Sequence, residues 1–198
     1  MKPGARRAAR GAHELPQRVR IIGGAYKRST LPVLDRPGLR PTPQRVRETL
    51  FNWLGQDLAG WRCLDAFAGT GALGFEAASR GAAAVQLIEQ EPALVDALRG
   101  SRDRLKAASL LITRADALTW MRSAADASFE LVLLDPPFDR PSLLDSALQA
   151  ATHLVADGGF LYVESPTAIT EAPRGFALWR QDRAGAVSYQ LLRRNSSG

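Results

Sequence analysis

The sequence predicts an α/β protein in which helices cover both faces of a mostly parallel sheet. From residue 61 onward, short and almost continuously apolar runs alternate with stretches of helical periodicity, and glycines or prolines often separate the two. Continuous apolar strands are expected where both faces of a sheet are covered, and strand–helix alternation is typical of doubly wound folds. The 198 residues suffice for one such domain with a small appendage.

Five apolar runs are the predicted parallel strands, at 63–67, 84–88, 109–113, 130–134 and 159–163. The predicted helices lie between them, at about 71–80, 92–107, 116–123 and 141–154. Two further runs, at 176–181 and 187–193, flank Gly185 and predict an antiparallel hairpin. This hairpin completes a seven-stranded, Rossmann-like sheet at one edge, over residues 61–198.

The first 60 residues follow a different pattern. Residues 1–17 lack periodicity and are predicted to form a flexible basic tail. Residues 18–60 predict a hairpin bent at Gly23-Gly24 and then a helix, with Thr42 as its N-cap and Pro43 as its first residue. We refer to residues 18–60 as the extension.

Charge separates this amino-terminal region from the rest of the chain. Residues 1–47 hold 12 Lys or Arg and two acids, whereas residues 48–198 hold 14 basic and 18 acidic residues. A genome biased toward arginine would explain why 23 of the 26 basic residues are Arg, but not why acids avoid the first 47 residues. The asymmetry therefore favours a basic segment that contacts a polyanion.

Several classes of protein are excluded by composition. No apolar run approaches the ~20 residues of a membrane span, and no apolar segment follows the basic amino terminus as in a secretory signal. The single cysteine, Cys63, excludes an internal disulfide, and two histidines leave little room for a metal site. We expect a cytoplasmic protein that uses no metal.

Acidic residues lie within or just after the predicted strands, at Asp65, Glu89, Asp116, Asp135 and Glu164. The carboxyl ends of parallel strands meet at one edge of a sheet, where ligands bind. Any one of these acids could merely cap the next helix, and this alternative stays open for Asp116 in particular. Their joint placement predicts a ligand crevice.

A glycine-rich turn, Gly69-x-Gly71-x-x-Gly74, follows the first strand, and Glu89 lies 20 residues beyond Gly69. The spacing formally matches a dinucleotide fingerprint, so a dehydrogenase, or a purely structural role for the glycines, stays open. Asp65 in the same turn favours S-adenosylmethionine, because a carboxylate repels pyrophosphate but attracts an ammonium and a sulfonium. Glu89 would then accept from the ribose hydroxyls and Asp116 from the adenine amine. The predicted cofactor contacts are Asp65, Phe67, Ala68, Gly69, Thr70, Gly71, Glu89 and Asp116.

The segment Asp135-Pro136-Pro137-Phe138 directly follows the fourth strand. The prolines restrict the backbone, so the Asp135 carboxylate and the Pro136 carbonyl are held in place. Two fixed acceptors suit the two N–H groups of an exocyclic amine, and accepting both frees the nitrogen lone pair to attack a methyl group. We predict Asp135, Pro136 and Phe138 as catalytic residues, with Phe138 stacking on the base; the alternative is a rigid structural turn.

These motifs resemble those of class I S-adenosylmethionine-dependent amino methyltransferases. A closer resemblance, over about residues 18–193, is to the bacterial 16S rRNA (guanine(966)-N2)-methyltransferases. The matching segments are Arg20–Gly24, Leu39–Leu54, Phe67–Gly74, Tyr162–Glu164 and Ala184–Tyr189. The resemblance implies methylation of a guanine N2 in small-subunit ribosomal RNA, within an assembled or assembling ribonucleoprotein particle.

We expect a monomer whose RNA contacts come from Arg18, Arg20, Lys27, Arg28, Arg40, Arg45 and Arg47. The main alternative is a DNA adenine-N6 or other nucleic-acid amino methyltransferase, because the same Asp-Pro-Pro-aromatic motif serves adenine amines. A DNA enzyme of this kind usually carries a larger sequence-reading module than 60 residues. A small-molecule or protein acceptor would leave the basic segment without a role, and a non-catalytic RNA-binding protein would not need Asp135.

Overall fold

The computed structural model describes residues 18–36, 38–138 and 140–196, so the predicted tail at 1–17 lies outside the described residues. The strands are β1 (Arg18–Arg20), β2 (Thr30–Pro32), β3 (Arg62–Asp65), β4 (Ala84–Glu89), β5 (Leu110–Arg114), β6 (Phe129–Leu134), β7 (Val155–Ser165), β8 (Phe176–Ala184) and β9 (Val187–Arg194). The helices are α1 (Gln44–Trp53), α2 (Ala72–Ser79), α3 (Pro92–Leu105), α4 (Ala117–Ser123) and α5 (Pro141–Ala151), with a 3₁₀ turn at Thr152–Leu154.

The main sheet has seven strands in the order β5-β4-β3-β6-β7-β9-β8. Strands β3 to β7 pair in parallel, and β9 pairs antiparallel with both β7 and β8. The predicted α/β, Rossmann-like fold with an antiparallel hairpin at its edge is therefore confirmed. From β3 the chain first builds outward through β4 and β5, and then returns to the other side of β3 with β6. Such a reversal opens a crevice at the carboxyl ends of β3 and β6.

Two apolar layers cover the sheet. The first contains Phe51 of α1 and Phe75 of α2 together with Tyr162 and Tyr189 of the sheet, all of them fully buried. The second contains Met121 of α4, a row of alanines in α5 and Leu154 of the 3₁₀ turn. Because Val19, Ile21 and Leu31 of the β1–β2 hairpin join the first layer, the extension packs as part of the core. The predicted boundary near residue 60 stays a prediction.

Two predicted details were wrong. The last parallel strand is longer than the predicted 159–163, since β7 already begins at Val155 and passes through Gly158 at φ 72°. Helix α1 begins at Gln44 rather than Pro43, and Pro43 occupies the N-cap without a capping side chain. The Thr42 hydroxyl, predicted to cap this helix, donates instead to Asp135 across 3.4 Å. Within the described ranges, no helix is long and apolar enough to cross a membrane.

Candidate active site

The turn between β3 and α2 wraps around the carboxylate of Asp65. This carboxylate is buried and accepts a 2.9 Å hydrogen bond from the backbone N–H of Gly74, the third residue of α2. Gly69 and Gly71 adopt positive φ angles of 51° and 78°, which favour glycine. A Cβ at Gly71 would also press against the rings and methyls of Phe75 and Leu98. The glycines therefore serve both the turn and its close packing, and the backbone runs tightly beside Asp65.

Glu89, at the end of β4, is brought to the same turn. One carboxylate oxygen accepts from the N–H of Gly69 at 3.0 Å, and the other accepts from the N–H groups of Gln90 and Glu91 at 2.8 Å. The side chain is half-buried. The Gly69 contact ties β4 to the turn, and the ribose-binding role of Glu89 stays a prediction.

Asp135 leaves the end of β6 beside Asp65. The Asp135 residue is half-buried, Pro136 is buried, and Phe138 is 40% exposed. Burial raises the pKa of Asp135 to about 7, partly offset by the hydrogen bond from Thr42. Near neutral pH this group therefore exchanges between carboxylic acid and carboxylate.

The carboxyl groups at this edge repel one another. Burial raises the pKa of Asp65 to about 7. The negative charges of Asp135 and Glu89 also raise this pKa, whereas the hydrogen bond from Gly74 lowers it. Burial and the charge of Asp135 also raise the pKa of Glu164 well above its ordinary value. Asp65, Asp135 and Glu164 form no ion pair with any described residue. We call these three the edge carboxyls; those that are ionised attract a cation.

The other predicted cofactor contacts lie around this edge. Phe67 is half-buried, Thr70 is buried, and the Ala68 N–H donates to the Ile88 carbonyl at 3.0 Å. Asp116 is exposed and caps α4, because one of its oxygens accepts from both the N–H and the hydroxyl of Thr119 at 2.9 Å. Capping is thus one role of Asp116, and its contact with adenine stays a prediction.

Of the seven basic residues predicted to contact RNA, six are exposed: Arg18, Arg20, Lys27, Arg28, Arg40 and Arg45. Arg47 was wrongly placed among them, because its side chain is 3% exposed. Its guanidinium donates to the Glu76 carboxylate at 3.2 Å and to the Arg20 and Thr42 carbonyls. The helical spacing of Arg47 to buried Leu50 and Phe51 places it on the core face of α1, a signal that was present in the sequence.

The donor set at the edge fits S-adenosylmethionine. A buried carboxylate at Asp65 suits the cationic methionine end, and Glu89 has the acceptor oxygens that ribose hydroxyls need. The close-packed glycine turn lets the backbone approach a ligand. In the described part of the chain, no group of three or more His, Cys, Asp or Glu residues is arranged to hold a metal.

A doubly wound sheet with a glycine turn, carboxylates at the strand ends and an Asp-Pro-Pro-Phe segment at the reversal point defines a class I methyltransferase. The chain belongs to the family described as Conserved hypothetical protein 95, whose model matches residues 19–193. It is 40% identical over 189 residues to ribosomal RNA small subunit methyltransferase D of Escherichia coli strain K12, covering 94% of this chain and 95% of that protein.

Two solved structures are similar over nearly their whole length. The protein yhhF from Escherichia coli is 40% identical, with a TM-score of 0.80, and the match covers 91% of this chain and 99% of that one. HI0767 from Haemophilus influenzae is 32% identical, with a TM-score of 0.77, and the match covers 90% and 99%.

Proposed function

We propose that this chain transfers a methyl group from S-adenosylmethionine to the exocyclic N2 of a guanine in 16S ribosomal RNA. The observation that carries the proposal is the meeting of Asp65 and Asp135 at the reversal point of the sheet. The near full-length similarity to ribosomal RNA small subunit methyltransferase D supports this substrate over DNA adenine.

On the cofactor side, we assign the methionine end to Asp65 and the Gly69–Gly71 turn, and the ribose to Glu89. When bound, S-adenosylmethionine supplies a methyl group on a sulfonium, a good leaving group. In their ionised form, Asp65 and Asp135 attract this cation, and their burial strengthens the attraction. Phe67, Ala68, Thr70 and Asp116 complete the proposed contacts.

On the substrate side, the Asp135 carboxylate and the Pro136 carbonyl accept the two N–H groups of the guanine amine. The nitrogen lone pair is then withdrawn from conjugation with the ring and can attack. The exposed Phe138 ring provides a surface on which the base stacks. Holding the reactants in this arrangement supplies on the order of 7–11 kcal/mol of the barrier reduction.

The RNA side is assigned to the six exposed basic residues of the extension. Arg45 lies close to the terminal hairpin, since its charge acts on Tyr189 and Asp182 there, and Tyr189 pairs with Glu164 at the catalytic edge. Contacts with phosphates would hold the RNA while the target guanine is turned out of its stack. We propose a monomer acting on an assembled or assembling subunit.

The test is to incubate the protein with labelled S-adenosylmethionine and, separately, unmethylated small subunits, naked 16S RNA and DNA. We expect one N2-methylguanine in ribosomal RNA, identified by nuclease digestion and mass spectrometry, with the subunit a better acceptor than naked RNA. Transfer to adenine N6 in DNA would support the alternative instead. The Asp135→Ala variant serves as the inactive control.

A further inference from the structure

A cluster of aromatic rings and arginines lies on the β8–β9 hairpin and the strand beside it. The Trp61 and Phe160 rings stack with their centroids 5.9 Å apart, and the Phe160 ring tilts against that of Trp179 at 6.5 Å. The Arg193 guanidinium lies over the rings of both Phe160 and Trp179. The Arg180 guanidinium lies 4.9 Å from the centroid of Trp179. We call these five residues the aromatic patch.

The aromatic patch is open to solvent at its outer end. Every residue of β8 from Ala177 to Arg183 is exposed, and Trp179 is 40% exposed. Trp61 and Phe160 are half-buried against the first apolar layer, so they form the base of the patch. A cluster of rings whose outermost member is left to solvent indicates a surface that meets a partner.

The charge around the aromatic patch indicates the chemistry of this partner. Residues 176–194 hold four arginines and one acid, whereas the remainder of residues 48–198 holds ten basic and 17 acidic residues. Within the described part of the chain, no acid forms an ion pair with Arg180 or Arg193. Their guanidiniums donate instead to the backbone carbonyls of Trp179 and Gly158. Unpaired arginines among aromatic rings fit single-stranded nucleic acid, whose phosphates pair with the arginines and whose bases stack on rings and guanidinium planes.

The aromatic patch lies apart from the proposed catalytic edge. On β7, Phe160 precedes Glu164 by four residues, which is about 13 Å of strand. Trp61 directly precedes β3. The patch therefore lies toward the amino ends of the parallel strands, away from Asp65 and Asp135. It shares a face of the sheet with the extension, because Phe160 and the β1–β2 hairpin both pack in the first apolar layer.

We propose that the aromatic patch binds an unpaired segment of the RNA substrate, with a base stacked on Trp179 and phosphates held by Arg180 and Arg193. The proposal rests on the function proposed above, which identifies the polyanion as ribosomal RNA. RNA fits better than an acidic protein surface because it supplies anions and flat rings together. The patch and the extension then hold RNA on one face of the sheet while the target guanine occupies the catalytic edge.

The test measures the binding of Trp179→Ala to four probes by filter binding: an unstructured RNA oligonucleotide, a duplex RNA of the same sequence, naked 16S RNA and unmethylated small subunits. We expect about tenfold weaker binding to the oligonucleotide and to naked 16S RNA, since stacking on one base is lost. Binding to the duplex should change less than about twofold, because its bases are already stacked on one another. Trp179→Phe, which keeps a ring, should bind within about threefold of the wild type.

The arginines of the patch are tested by salt dependence. Arg180→Ala and Arg193→Ala should each reduce the slope of log affinity against log salt by about 1, whereas Trp179→Ala should leave it unchanged. In methyl transfer, all three variants should raise KM for the RNA acceptor. Neither kcat nor the affinity for S-adenosylmethionine, measured by calorimetry, should change appreciably, because the patch lies away from the reacting atoms.

Leu111→Ala is the matched control for Trp179→Ala, because Leu111 is a 55% exposed apolar side chain on β5, the other edge strand. Arg122→Ala, which removes an exposed arginine from α4 on the opposite face, is the control for the arginines. Both controls should bind the four probes as the wild type does.

Two results would overturn the proposal. One is wild-type binding of Trp179→Ala to the oligonucleotide and to naked 16S RNA. The other is weaker binding to the small subunit alone, which would assign the patch to a protein of the particle. If urea denaturation shows that Trp179→Ala does not fold, the two arginine variants decide, and unchanged salt slopes overturn the proposal. Mass spectrometry of the methylated product tests the proposed function separately, since a different acceptor base would leave the oligonucleotide result unchanged.

Discussion

The edge carboxyls and Glu76 are two groups of acidic side chains in the interior of the protein, and the fold treats them in opposite ways. The edge carboxyls have no cationic partner among the described residues. Glu76, fully buried in α2, is paired with both Arg47 and Arg80. Burying an unpaired charge is costly, so a fold tolerates it where a ligand supplies the missing charge. We interpret the paired group as structural, and we propose that the unpaired group is functional.

The hydrogen bonds and ion pairs of Glu76 attach the extension to helix α2 of the Rossmann-like domain. Besides the two arginines, its carboxylate accepts from the backbone N–H groups of Ile22 and Gly23 at 3.0 and 2.9 Å. Next to them, Gly24 has a φ of 72° and lies so close to the Ser79 carbonyl that a Cβ would overlap it. The exposed cations of the extension are therefore held in a fixed position relative to α2, whose first turn contains the Gly74 N–H bonded to Asp65.

Removing Asp135, the proposed catalytic carboxylate, tests the functional side of this comparison and has the largest expected effect. Asp135→Ala should lower methyl transfer on the order of 10³-fold, because an acceptor aimed at the reacting amine is lost. Cofactor affinity, measured by calorimetry, should change little. Asp145→Ala, which removes an exposed carboxylate from α5, is the control and should remain active. Full methylation by Asp135→Ala would contradict the mechanism.

Removing Glu76 tests the structural side. Glu76→Ala leaves two buried arginines without their anion and should lower the free energy of unfolding by about 3–5 kcal/mol. The surface pair of Arg36 and Glu91 provides the comparison, since these side chains are 42% and 36% exposed. Glu91→Ala should cost less than about 1 kcal/mol. Urea denaturation of both variants measures the difference, and equal losses would show that Glu76 does not act as a buried anchor.

The pH dependence of stability distinguishes the two groups more finely. The folded-state pKa values of Asp65 and Asp135, about 7, lie above the ordinary carboxyl value, so the native protein binds more protons than the unfolded chain between about pH 4 and 7. Stability without cofactor should therefore fall as pH rises through this window, by on the order of 4 kcal/mol for each of the two carboxyls. Denaturation at pH 5.5 and 8 measures the fall.

Two additions make that experiment specific to the edge carboxyls. Asp135→Asn should be more stable than the wild type at pH 8 and should show a shallower fall, since it cannot ionise. Adding S-adenosylmethionine should recover stability most at pH 8, where the carboxylates are charged. A fall that is as steep in Asp135→Asn would assign the pH dependence to other groups.

The sequence was sufficient to predict those features that depend on a local pattern of residues or on where the strands end. Asp65, Glu89 and Asp135 could be placed at one edge because parallel strands share their carboxyl ends. Thr42 was assigned to a helix cap because capping preferences are local, whereas its partner Asp135 lies 93 residues away. The burial of Arg47 was visible in its spacing to Leu50 and Phe51, but nothing local identifies Glu76 as its partner.

The same reasoning explains the shortened prediction for β7. Asp157-Gly158-Gly159 has the composition of a turn, so the strand was predicted to start after it. In the structure, tertiary pairing with β6 overrides this preference: Phe129 pairs with Val155, and the register shifts before Leu131 pairs with Phe160. Local composition cannot reveal a strand that continues through an irregular stretch because its neighbour supplies the hydrogen bonds.

The smallest expected effects are those of single arginine substitutions on RNA binding. They distinguish the exposed arginines from the buried Arg47. Arg20→Ala and Arg45→Ala should each weaken RNA binding at low salt and reduce the slope of log affinity against log salt by about 1, since each removes one phosphate contact. Arg47→Lys should leave that slope unchanged and instead lower stability, because lysine cannot make the separate contacts of the guanidinium to Glu76 and to the Arg20 and Thr42 carbonyls. Filter binding across a salt series measures the slopes. If Arg47→Lys changed the slope as Arg20→Ala does, Arg47 would have to leave its buried position and contact RNA. The distinction between buried cations paired with Glu76 and exposed cations that contact RNA would then not hold for Arg47.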